Sequence, residues 1–154
     1  MGKCFGVIGG DRRQAELARL LEADGYQVQT YGLEAWRGNG VSLEQAASAE
    51  VIILPLPLCK GDGVLNCPDA PVPTAELFRL LTPRQLVLAG QVLPGQQKEA
   101  EELYRDFGRA YAKSSNWQLY LLSAHTEFER CFGRPADKKR KLYNGMIKCD
   151  VFMY

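Results

Sequence analysis

Val51-Ile52-Ile53-Leu54 runs four apolar residues in a row and offers no polar side chain to water on either face. A strand of this kind must be covered on both sides, as in the parallel sheets of α/β proteins. It stops at Pro55-Leu56-Pro57, where proline brings no N–H to a ladder. Phe5 to Ile8 reads as a second strand covered on both faces. Tyr26 to Tyr31 alternates instead, which predicts a strand with one wetter face, near the sheet edge.

Helical signals fall between these strands. Asp11 caps a helix whose Leu17, Leu20 and Leu21, with Ala18, form an apolar stripe, and Gly25 closes it. A short helix is expected from Ser42 to about Ala47. Thr74 caps another, with Leu77, Phe78, Leu80 and Leu81 apolar and Pro83 just past its end. Gln85 to Ala89 reads as strand four, broken by Gly90. Gln96 to Tyr111 is a long amphipathic helix, and Trp117 to Leu122 a fifth strand. This alternation predicts an α/β fold over residues 1–125: a flavodoxin-like or Rossmann-like, doubly wound parallel sheet of about five strands. Residues 126–154 lose the pattern. They hold the basic run Lys138-Lys139-Arg140-Lys141 and a short apolar end, and are expected to form an atypical, poorly packed tail.

Charge and cysteine usage narrow the function. A net charge of +1 gives no bulk electrostatic reason to bind nucleic acid or a membrane, so neither is expected as a partner. Five cysteines form no Cys-x-x-Cys pair and there is one histidine, so no metal site is expected. The N-terminus leads straight into a strand, and a cytoplasmic location is the expectation.

The turn after strand one is the first candidate site. Gly9 and Gly10 run into Asp11, Arg12, Arg13 and Gln14. Glycines let the backbone approach a ligand, and a helix N-terminus favours an anion. The turn is not a dinucleotide fingerprint: with Gly9 in the first glycine position, the next two fall on Asp11 and Gln14. It suits a small anionic ligand or another domain. In a doubly wound sheet, residues 9–14, 55–66 and Gly90-Gln91 converge at the carboxyl edge, where such folds bind ligands. Within them Asp11 reads first as a cap, and Pro57, Asp62 and Gly63 belong to a long loop. Asn66 bonds either a ligand or its own loop backbone. His125 follows strand five at the same edge, a proton-transfer candidate with no second histidine beside it. No catalytic triad can be assembled, and no catalytic residue is assigned.

Gly9-Gly10-Asp11 followed by Arg13-Gln14 resembles the opening of the A subunit of dipicolinate synthase, from spore-forming bacteria. Ile53-Leu54-Pro55, with Pro57, Asp62-Gly63, Asn66 and Pro68 behind it, and Gly90 after strand four, are similar to that family's second block. The resemblance covers roughly residues 4 to 107 and only the family's N-terminal domain. It implies a sporulation oxidoreductase that makes dipicolinate from a dihydrodipicolinate precursor with NAD or NADP. The cofactor fingerprint would lie in a second Rossmann domain that has no counterpart here, so no cofactor is expected in this chain. From about residue 108 the tail departs from the family's pattern, as a frameshifted remnant would. The resemblance makes Gly9, Gly10, Asp11, Arg13 and Gln14 line a substrate site, with Asn66 and Gly90 opposite. Arg13 is expected to pair with a substrate carboxylate. The expected role is a stand-alone substrate-side domain without catalysis of its own. The alternative is a non-enzymatic module that pairs with another subunit or with itself.

Overall fold

In the computed structural model, residues 2–33, 36, 38, 40–59, 63–91, 97–113 and 118–154 are described. Strand β1 (Cys4–Ile8) leads into helix α1 (Arg12–Ala23), then β2 (Gln27–Tyr31), α2 (Leu43–Ala47) and β3 (Val51–Ile53). There follow α3 (Thr74–Leu80), β4 (Leu86–Gln91), α4 (Gln97–Lys113) and β5 (Gln118–Ser123). The chain finishes with α5 (Phe128–Phe132), β6 (Lys138–Asn144) and β7 (Ile147–Met153). One seven-stranded sheet results, in the order β2-β1-β3-β4-β5-β7-β6.

The first five strands are parallel and follow the flavodoxin order. The count is seven and not five, because β7 pairs antiparallel with β5, and β6 with β7. Ile8, Ile52, Val87 and Leu121 face a core closed by α2, α3, α4 and α5. Val7, Val51 and Ile53 face α1 on the other side. As the alternating pattern predicts, β2 is an edge strand.

Several local expectations are corrected. Helix α1 rests on the sheet through Ala15 and Ala18, with Leu21 partly buried against the same cluster, while Leu17 and Leu20 are 37% and 55% exposed. Small side chains bring the helix close to the strands and turn the neighbouring leucines outward. Thr74 is the first residue of α3 and not its cap, because its Oγ1 donates to the Gly63 carbonyl at 3.0 Å. Gly90 does not break β4: the strand runs on to Gln91, with Gly90 paired to Leu122.

The expectation of a poorly packed tail is also corrected. Phe128, Phe132, Phe152 and Tyr154 are all buried, and their rings meet: Phe128 and Phe152 at 4.3 Å, Phe132 and Tyr154 at 4.5 Å. Each buried aromatic contributes about 1.5–3 kcal/mol of apolar burial, which offsets the ordering of a short segment. Gly108 lets α5 lie against α4, since a Cβ there would run into the Phe132 carbonyl oxygen. The basic run becomes the outermost strand, where lysines discourage edge-to-edge pairing.

Candidate functional site at the carboxyl edge

Strands β1 and β3 are neighbours, and the chain leaves them toward opposite sides of the sheet. This is the topological switch point, where loops part and leave a crevice. The three loops expected here do converge. Gly10 N–H donates to the Asn66 carbonyl at 2.8 Å, and Leu58 N–H donates to the Gly90 carbonyl at 2.8 Å. Arg13 Nη2 donates to the Leu56 carbonyl at 2.7 Å.

Gly9 and Gly10 take φ of +67° and +104°, conformations that strain any side-chain-bearing residue. The Gly9, Gly10, Asp11 and Arg13 N–H groups of this turn are engaged inside the protein. Gly9 N–H bonds the Tyr31 carbonyl at 2.8 Å, and Asp11 N–H bonds Gln14 Oε1 at 3.1 Å. Asp11 Oδ1 in turn accepts the Arg13 N–H at 2.9 Å, completing a capping box in which Gln14 is buried. These four N–H groups are thus unavailable to an anion, and the side chains of the turn are the remaining donors of interest.

Arg13 is the side chain best placed for it. Its Nε donates to both Asp11 carboxylate oxygens, at 3.0 and 3.2 Å, and Nη2 bonds Oδ2 at 2.9 Å. The Asp11 hydrogen bond raises the guanidinium further above its ordinary value. Both partners are exposed, so the pair contributes little stability and its effect is orientation. Asn66 turns to its own loop: Nδ2 donates to the Pro57 carbonyl at 3.1 Å. Gly63 supplies the carbonyl that Thr74 binds. Asp62 lies outside the described residues.

His125 makes a different arrangement. Its Nδ1 accepts the Glu127 N–H at 3.0 Å, which leaves the proton on Nε2, 3.2 Å from Glu101 Oε1. Burial raises the Glu101 carboxyl, but hydrogen bonds from His125 and Arg105 outweigh it and leave it below the usual range. Ser123 Oγ accepts the His125 N–H at 3.1 Å and meets the Tyr104 hydroxyl at 2.6 Å. With both ring nitrogens engaged, the histidine joins α4, β5 and α5. Sequence reading missed this bridge, because Glu101 and Tyr104 look like ordinary members of an amphipathic helix.

No group of metal-binding side chains occurs among the described residues, and no helix there is long and apolar enough to cross a membrane. In the turn after β1 the N–H groups of Gly9, Gly10, Asp11 and Arg13 bond within the protein, so these four are not free to cradle a pyrophosphate.

The family described as the N-terminal domain of the dipicolinate synthase A subunit matches residues 4–106. The chain belongs to this family. It spans less than half the length of each of three further proteins that it is similar to. Over 60 residues it is 42% identical to the putative RNA methyltransferase YpsC of Bacillus subtilis (strain 168), a stretch of 39% of this chain and 16% of that protein. A solved structure of a possible methylase from Clostridium difficile 630 superposes with a TM-score of 0.53 at 22% identity, over 99% of this chain and 32% of that one. That likeness is one of fold. The A chain of dipicolinate synthase from Bacillus subtilis gives a TM-score of 0.47 at 17% identity, over 73% of this chain and 46% of that one.

Proposed function

We propose that this chain is the substrate-side domain of a dipicolinate-forming system in sporulation, binding a small dicarboxylate at the β1/β3 switch point without catalysing hydride transfer by itself. The observation that carries the reading is the pose of Arg13. Asp11 and the Leu56 carbonyl hold its guanidinium through Nε and Nη2, and its Nη1 group is the donor that would meet a carboxylate oxygen. Gly9, Gly10 and Gln14 form the floor of the site together with Asn66, whose carbonyl Gly10 bonds, and the Gly90 carbonyl ties down the neighbouring loop at Leu58. NAD or NADP would be held by a domain outside these residues, since the sequence contains no G-x-G-x-x-G. A stretch equal to 16% of a putative RNA methyltransferase is too short to carry methyl transfer to this chain.

The test is an assay of the purified protein with either reduced or oxidised nicotinamide cofactor and a dihydrodipicolinate precursor. No cofactor turnover is expected. Turnover by this chain alone overturns the reading. A second reading, a binding module that pairs with another subunit, is favoured by one observation, the uneven covering of the sheet.

A further inference from the structure

Helices α2 to α5 all lie on one side of the sheet, whereas α1 is the helix that packs on the other. Sheets of this class take helices on both faces. Among the described residues, the strand residues clustered with α1 on that side come from β1, β2, β3 and β4 and none from β5, β7 or β6. The ladder fixes what these three strands present on that face. Tyr120 lies beside Met153, and Met153 beside Lys138; Leu122 lies beside Val151, and Val151 beside Arg140. The opposite orientation of their neighbours confirms the assignment, because strand residues alternate. Lys139 reaches Glu129 of α5 at 2.9 Å, and Phe152 packs on Phe128.

The four apolar residues belong to neither core cluster; Tyr120 is 38% exposed, and Leu122, Val151 and Met153 are half-buried. Lys138 and Arg140, both exposed, make no ion pair among the described residues. Three strands about 4.8 Å apart span about 10 Å, the diameter of one helix.

We propose that this face docks one amphipathic helix of another polypeptide, its apolar stripe over Tyr120, Leu122, Val151 and Met153. Carboxylates on the helix flank meet Lys138 and Arg140. A second copy of the chain fits less well, since the same face of β5, β6 and β7 carries no acidic residue. This surface is separate from the switch point and does not depend on dicarboxylate binding there.

The test uses fluorescent amphipathic peptides of about 18 residues, long enough to run along the strands as a helix. One carries glutamates along the flank of a leucine stripe, the other lysines. The glutamate peptide is expected to bind more tightly. Lys138→Glu with Arg140→Glu should weaken it about fivefold to tenfold, as two exposed ion pairs allow, and should favour the lysine peptide. Tyr120→Asp should remove binding of both peptides with no change in response to dicarboxylate. Equal binding of the two peptides to the native chain overturns the proposal, as does binding that ignores these variants. A peptide-free dimer broken by Tyr120→Asp would assign the face to a second copy. Capture of an RNA oligonucleotide that needs Lys138 and Arg140 but not Tyr120 would assign it to a polyanion. Either result contradicts the proposal.

Discussion

Arg13, in the first turn of α1, donates from Nη2 to the Leu56 carbonyl at 2.7 Å and so joins two loops 43 residues apart. Asp11 sets that pose, because its carboxylate takes the other side of the guanidinium while also capping the helix. Asp11→Ala removes both functions. The expected loss is about 1 kcal/mol, within the range for N-cap removal, or roughly 2–4 °C in melting temperature. Asp11→Asn keeps a capping oxygen and should lose less. Thermal unfolding followed by circular dichroism measures both, and a native-like melt for Asp11→Ala contradicts the assignment.

Gly10 and Gly25 form a matched pair. Both have positive φ, +104° and +87°, but a Cβ on Gly10 would stand 2.6 Å from Gln14 Oε1, whereas nothing lies within 4 Å of one on Gly25. Gly25→Ala should cost only the backbone term, about 1–2 kcal/mol. Gly10→Ala should cost clearly more, because Gln14 must leave the capping box. Denaturant titration separates the two, and equal losses would mean that the buried Gln14 is not needed.

Much of this arrangement was legible in the sequence, and the reasons for the rest are local. The strands at Phe5, Val51 and Gln85 carry uninterrupted apolar residues, so their burial on both faces could be read directly. The glycines and Asp11 marked the switch-point loop. That their N–H groups bond to Tyr31, Asn66 and Gln14 could not be read, because the partners come from distant loops or from a side chain that folds back. In the tail, Phe128, Phe132, Phe152 and Tyr154 are scattered among charged residues. No window of sequence shows that α5, β7 and the chain end gather them into one cluster.

Phe152 tests that cluster. It is buried against Phe128, with Lys139 over its ring. Phe152→Ala should cost about 3–5 kcal/mol, the range for a large buried aromatic. A loss below about 1 kcal/mol, the level of an ordinary substitution, would show that the tail packs loosely in solution.

Tyr104 predicts an alkaline transition. Burial pushes its phenol up to about 12, against the smaller opposing effect of the Ser123 hydrogen bond. A group raised in the folded state contributes stability that is complete below its unfolded value, about 10, and is lost as pH rises toward 12. Stability should therefore fall between those values. Tyr104→Phe, which cannot ionise, should flatten that fall while costing about 1 kcal/mol at neutral pH for the lost hydrogen bond. Parallel alkaline unfolding curves for the two proteins would contradict the buried phenol.

Dicarboxylate binding at Arg13 is the central claim, and thermal unfolding in the presence of dipicolinate tests it most directly. At ten times the dissociation constant, ligand linkage adds about 1.4 kcal/mol, which raises the melting temperature by roughly 3–6 °C. Arg13→Ala should abolish that rise, and Arg13→Lys should reduce it, since an ammonium keeps the charge without the planar fork. A rise that survives in Arg13→Ala, or no rise in the native protein at any dipicolinate concentration, would contradict the account.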